Sequence, residues 1–260
     1  MRNLLATALV ALLCHYSAAF ADERVVLETR SGVTQSFLYE DAVDPPASLL
    51  LFEGGPGALN ANLRNLGFLE KSRQAFAKRG FAVAIIEPPS DRHGDLTRNN
   101  FRQSSNHRRD VEAVIRYLRG KHNKPIWLIG ISLGTLSVAE IASRTEEPIG
   151  GIVLLSSKTR DDRGSGILDS SLQRIKASAL VISHAKDACS STPPSDSTKI
   201  VAALKNSRRT EFTMVEGGFA VPSSSPCLPG TFHTFLGTES KVVDSVSTFI
   251  LSDPMASNGR

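Results

Sequence analysis

The sequence predicts an α/β protein with a mostly parallel central sheet of about eight strands and helices on both faces. Three observations carry that expectation. Six short runs rich in Val, Ile and Leu are continuous rather than alternating, as strands covered on both faces are. Segments with the 3.6-residue period of amphipathic helices separate them. Near the start, two strand-like stretches around a Ser-Gly pair read as an antiparallel hairpin at the sheet edge.

In chain order, Val25–Thr29 and Val33–Tyr39 flank Ser31-Gly32 and make the hairpin, and Ser48–Phe52 is the first of the continuous runs. Phe68–Arg79 is a helix stopped at Gly80. Phe81–Ile86 is the next strand. Polar Ser104-Ser105-Asn106 supplies an N-cap for a helix that places Val111, Val114, Ile115 and Leu118 on one face. Pro125–Ile129, Gly151–Leu155, Ala179–Ser183 and Glu211–Val215 complete the strands; Leu136–Ser143, Leu168–Ile175, Ser195–Leu204 and Lys241–Leu251 are helix-like. Ser/Pro-rich Ser190–Ser197 and Val221–Pro229 read as loops.

Residues 1–21 stand apart from this pattern. Arg2, the apolar run Leu4–Leu13 and the small-residue site Ala19-Phe20-Ala21 have the plan of a secretory signal peptide that is cleaved off. The run is too short to span a bilayer, and no later stretch reaches the roughly 20 apolar residues that a span requires. Leu12 and Leu13 precede Cys14 where a lipid-anchored chain needs small residues, so an exported protein, periplasmic or secreted, without a stable membrane anchor is expected. Residues 22–252 should form one domain and 253–260 a disordered tail.

The 260 residues, 41% hydrophobic and 22% charged, exclude collagen-like, coiled-coil and fully disordered classes. A formal charge of only +4, spread along the chain, gives no ground for a nucleic-acid partner. Beyond the leader two cysteines remain, Cys189 and Cys227; in an oxidising compartment and without metal-type spacing they are expected to form a disulfide, the alternative being two small buried side chains. His93, His107, His122 and His184 show no ligand spacing and no C-x-x-C occurs, so neither a metal nor an organic cofactor is expected.

Gly130-Ile131-Ser132-Leu133-Gly134 matches G-x-S-x-G, a weak string in a chain with 19 glycines. Its setting strengthens it: a strand-like run precedes it directly and a helix-like run follows, the arrangement of a nucleophile elbow. The turn is so tight that its flanking positions must lack bulk, which leaves the serine hydroxyl projecting above the sheet.

With the elbow on the fifth strand, the sequence resembles the α/β-hydrolases over nearly the whole chain after residue 21. The resemblance implies an acid after the seventh strand and a histidine after the eighth, positions filled by Asp187 and His233. It further implies that Ser132 attacks an acyl carbon, His233 carries the proton and Asp187 holds the imidazole. Two backbone N–H groups should receive the oxyanion, those of Leu133 and Gly55. The second follows from Glu53-Gly54-Gly55-Pro56-Gly57, which is similar to the His-Gly-Gly-Pro-Gly of proline iminopeptidases and related hydrolases. Glu53 departs from that pattern, so iminopeptidase specificity is not carried over; a carboxylate there can brace the loop. A phosphate-binding reading of the same glycines fails, because no Gly-Lys-Ser/Thr follows and Asn60 stands where a dinucleotide fingerprint needs its last glycine. Pro88-Pro89-Ser90-Asp91-Arg92 and Phe101-Arg102 are similar to small exported bacterial members of the family.

Ser156–Ser178 is too short for a lipase-type lid, so the fold expected is a lid-less α/β-hydrolase whose pocket rim comes from the long loop Pro88–Gln103 with Arg92, His93, Arg98 and Arg102. The expected activity is cleavage of carboxylic esters of a small-molecule acyl substrate through an acyl-enzyme. Amide or peptide cleavage and acyl transfer need the same three residues; a non-catalytic binding protein would ordinarily lack one.

Overall fold

In a computed structural model of the chain, residues 22–59, 66–160, 166–222 and 225–257 are described. The signal-peptide reading of residues 1–21 lies outside them. Eight strands form one sheet, β1 (Glu23–Arg30), β2 (Val33–Glu40), β3 (Ser48–Phe52), β4 (Ala82–Ile86), β5 (Ile126–Ile131), β6 (Gly151–Leu155), β7 (Ser178–His184) and β8 (Thr210–Val215). Their spatial order is β1-β2-β4-β3-β5-β6-β7-β8. β1 pairs antiparallel with β2 and β2 with β4, whereas every later pairing is parallel.

Why the apolar runs are continuous is visible in the register of their side chains. Leu50 and Phe52 of β3 and Leu128 of β5 enter one core, with Val111, Val114, Ile115 and Leu118 of α2 (Ser105–His122) and Leu136 and Val138 of α3 (Gly134–Arg144). Their neighbours Leu49, Leu51, Trp127 and Ile129 point the other way, into a second core closed by Phe68, Leu69 and Phe76 of α1 (Phe68–Ala77) and Val242, Val246 and Ile250 of α5 (Glu239–Leu251). Successive residues of a strand face opposite sides, so a sheet sandwiched between helix layers needs apolar side chains at both. α2 begins as its sequence predicts, with the Ser104 side chain accepting from the His107 N–H at 3.1 Å.

Three expectations need correcting. Leu168–Ile175 is not a helix but two 3₁₀ turns, Ile167–Asp169 and Leu172–Arg174, because Ser170 and Ser171 interrupt the period where a single α turn would have to propagate. Ser195–Leu204 begins with a 3₁₀ turn, Pro194–Asp196, before α4 (Ser197–Ala203). The chain also stays anchored beyond residue 252. Asp253 is fully buried, accepting from Ser178 Oγ at 2.5 Å and from an Arg208 guanidinium N–H at 3.2 Å, and a last short helix, α6 (Pro254–Ser257), follows. Among the described residues no helix is long and apolar enough to cross a membrane.

Candidate active site

β5 delivers Ser132 to the C-terminal edge of the sheet, and the backbone there is forced. Ser132 takes φ 53°, a left-handed conformation that side chains other than glycine rarely adopt and that costs on the order of 1–3 kcal/mol. Its N–H donates to the Leu155 carbonyl at the end of β6 (3.0 Å), and its carbonyl accepts from the Thr135 N–H and hydroxyl (3.0 and 2.6 Å). The flanking glycines are obligatory for space. A Cβ on Gly130 would lie 2.6 Å from the Gly134 carbonyl oxygen, and one on Gly134 would lie 2.0 Å from that of Phe52.

Asp187 and His233 come together from separate loops. Asp187 follows β7, and the 3₁₀ turn Phe232–Thr234 carries His233, whose backbone carbonyl is held by Ser156 Oγ at 2.9 Å. His233 Nδ1 sits 2.9 Å from Asp187 Oδ2, with the two side chains 2% and 0% exposed. The other carboxylate oxygen accepts the Cys189 N–H at 2.9 Å. Thr192, which sequence reasoning passed over, completes the group: its hydroxyl donates to Asp187 Oδ2 (2.9 Å), and its oxygen lies 3.1 Å from His233 Nδ1. With Nδ1 facing two oxygens it carries the proton, leaving Nε2 as the free base. No signal in one sequence distinguishes Thr192 from Ser190 and Ser191 beside it.

Cys189 and Cys227 are disulfide-bonded, tying the acid loop to the segment that leads into the histidine turn. His184 braces the same loops. Its Nδ1 accepts from the Lys186 N–H and its Nε2–H donates to the Gly217 carbonyl, both at 3.0 Å, while its ring stacks on Phe232 at 4.8 Å.

Ser132 and His233 line one cavity of about 480 Å³, with Gly54, Gly55, Ile131, Val221 and Leu228 among its other walls. Such a volume suits a small organic ligand. Ser132 Oγ has no hydrogen-bond partner among the described residues. The N–H groups of Leu133 and Gly55 likewise donate to no described backbone carbonyl. Gly55 takes φ 53° in a turn closed by the Gly57 N–H on the Gly54 carbonyl (3.0 Å). No group of three or more His, Cys, Asp or Glu is arranged to hold a metal ion among the described residues.

The rim differs from the expectation. Among the described residues the cavity walls come from 53–56 and Ala58, from Gly67 and Glu70, from Ile131 and Ser132, and from Val221, Pro222, 227–229, His233 and Thr234, and none from Pro88–Gln103. That loop is tied elsewhere: Arg30 of β1 donates to Asp91 at 2.9 Å, and the Thr34 N–H of β2 to Ser90 Oγ at 3.0 Å, so its first half is bound to the hairpin edge. Arg92 lies over the Phe101 ring at 4.5 Å, and Arg98 pairs with Asp95 at 3.1 Å. Arg102 turns inward and is 3% exposed. Burial lowers its pKa to about 10, so it stays charged at neutral pH.

Glu53 braces the loop as its position suggests. Its carboxylate accepts the N–H groups of Gly54, Leu69 and Glu70 at 3.0, 3.0 and 3.1 Å, capping the start of α1. Burial raises its pKa, against the pull of those three donors and of Arg102.

His107 lies beside Arg102, its Nε2 2.9 Å from Ser137 Oγ, and burial together with the Arg102 charge depresses its pKa to about 3. An imidazole kept neutral in the fold gives stability that is complete above the ordinary value near 6.5 and lost as pH falls from there toward 3, because the unfolded chain takes up the proton first. The stability advantage of wild type over His107→Gln, measured by urea unfolding, should therefore narrow as pH is lowered from 7 to 4. An advantage that stayed constant would contradict a buried neutral ring.

No protein-family model matches the sequence, nor does any curated protein. Solved structures do. A dienelactone hydrolase from Anabaena variabilis superposes with a TM-score of 0.64 at 11% identity, over 88% of this chain and 97% of the other. The esterase Pf2001 from Pyrococcus furiosus gives 0.62 at 14%, over 89% and 92%. An acylaminoacyl peptidase from Pyrococcus horikoshii gives 0.62 at 13%, with 91% of this chain covering 42% of that one. At such identities the likeness defines the fold: the chain has the α/β-hydrolase fold, and no large lid domain is present among the described residues.

Proposed function

We propose that this protein is an exported serine hydrolase that cleaves carboxylic esters of small acyl substrates through an acyl-enzyme. The observation that supports it most is the buried His233–Asp187 pair at 2.9 Å, opening on a cavity that Ser132 also lines. Ser132 Oγ attacks the acyl carbon while His233 Nε2 takes the hydroxyl proton. The carbonyl electron pair moves to oxygen, where the N–H groups of Leu133 and Gly55 receive it. Collapse expels the alcohol with the proton from His233, and water repeats the cycle to release the acid. Asp187 stabilises the imidazolium in both halves. A serine–histidine hydrogen bond of this kind often tightens only when substrate binds. The disulfide is consistent with an oxidising compartment.

A fluorophosphonate probe should label the wild-type protein at Ser132, and labelling should vanish in Ser132→Ala and fall steeply in His233→Ala. A wild-type protein that the probe leaves unlabelled would favour a binding protein on this fold. Short acyl esters and matched amides, with and without an added alcohol acceptor, then separate esterase from amidase or acyltransferase, all of which use the same residues.

A further inference from the structure

The turn that carries Gly55 has an unusual support. Arg102 Nη2 donates to the carbonyls of Glu53 and Gly55, both at 3.0 Å, and Nη1 donates to Ser137 Oγ at 3.1 Å, itself held by His107. Between those two carbonyls, the Gly54 carbonyl is taken by the Gly57 N–H and the Gly54 N–H by Glu53 Oε1, each at 3.0 Å. All three carbonyls from Glu53 to Gly55 are thus engaged. In a trans peptide the N–H points opposite to the C=O. With the Gly54 carbonyl turned into the bend, the Gly55 N–H is turned out of it, on a stretch that lines the cavity.

Two adjacent glycines offer little steric resistance to rotation of the peptide between them. A flip would replace the N–H with a carbonyl facing the serine. We propose that Arg102 is the positioning residue of the oxyanion site: its buried guanidinium clamps the peptides on either side of the Gly54–Gly55 unit and so keeps the Gly55 N–H aimed into the cavity. The role rests on the serine-hydrolase reading above. It also accounts for an arginine in place of a lysine, since two carbonyls and a hydroxyl call for a planar fork of donors rather than one ammonium.

The test compares wild type with Arg102→Lys, Arg102→Met and Ser137→Ala. It reads kcat and KM for an activated short-chain ester, the thermal midpoint, and inhibition by a trifluoromethyl ketone. That inhibitor bonds Ser132 Oγ at its carbonyl carbon, and its oxygen takes the negative charge while His233 holds the proton. In Arg102→Lys, kcat should fall about 100-fold with KM changed by no more than about twofold, as when one oxyanion donor is lost. Affinity for the ketone should fall in step with kcat/KM. Ser137→Ala, which loosens the guanidinium without removing it, should show a smaller loss of the same kind and keeps the question answerable if Arg102→Met does not fold. A folded Arg102→Lys with wild-type kcat, or a loss confined to KM, would overturn the role of Arg102 alone. A wild type that turns over no ester would remove the parent reading and this one together.

Discussion

Ser132→Ala, His233→Ala and the double variant are expected to lower kcat for a short activated ester by nearly the same factor, on the order of 10⁴ to 10⁶. The reason for equality is chemical. A serine hydroxyl is a poor nucleophile until a base removes its proton as the bond forms, and the imidazole has nothing to activate once the hydroxyl is gone. Losses from groups that act in one step do not add. KM should change little in all three, because neither side chain has to hold the ground-state ester. Steady-state kinetics on the purified variants, each with an unaltered melting curve, reads the result. Losses that multiplied in the double variant would mean that the two residues act independently, and the reading of a serine–histidine couple would fall.

The second large effect is on folding. Gly134→Ala should destabilise the protein by about 3 kcal/mol, because the added methyl would lie 2.0 Å from the Phe52 carbonyl oxygen and 3.1 Å from that of Glu53. Neither is the end of a flexible side chain. Both are backbone atoms at the end of β3, so relief requires α3 to move away from the sheet and takes the elbow and the Gly54-Gly55 turn with it. Gly120→Ala is the matching control. A Cβ there meets nothing within 4 Å, and the position lies inside α2, so this exchange should stabilise by about 0.5 kcal/mol. Denaturant unfolding of the two variants beside wild type decides the matter; equal midpoints for wild type and Gly134→Ala would show that the elbow has room.

Much of this was legible from residues alone, for identifiable reasons. Runs such as Ile152–Leu155 declare a strand buried on both faces because only a helix-covered sheet requires apolar side chains at consecutive positions. Gly130 and Gly134 are legible because the backbones they face leave no space for a methyl. Asp187 and His233 are picked out by the resemblance to the α/β-hydrolases together with a count of strands, and the structure brings the two side chains within 2.9 Å of each other. What stayed hidden depends on how loops turn. Arg102 sits in a loop with Arg92 and Arg98, where arginines are ordinarily solvated; the carbonyls of Glu53 and Gly55 and the Ser137 hydroxyl draw it inward. The same indifference of sequence to loop direction put the rim at Pro88–Gln103, whereas the described walls include Val221, Pro222, Leu228 and Pro229. Asp253 reads as part of a tail because its partners, Ser178 and Arg208, lie far back along the chain.

The Cys189–Cys227 bond spans 38 positions and encloses α4 and β8. The turn between those two elements leaves Lys205 and Asn206 exposed. A cut there severs the polypeptide yet frees no fragment, since the portion bearing the imidazole stays clasped through sulfur to the portion bearing the hydroxyl. Nicked and intact molecules would migrate alike on a denaturing gel until a reductant is added, when the former separate into two bands.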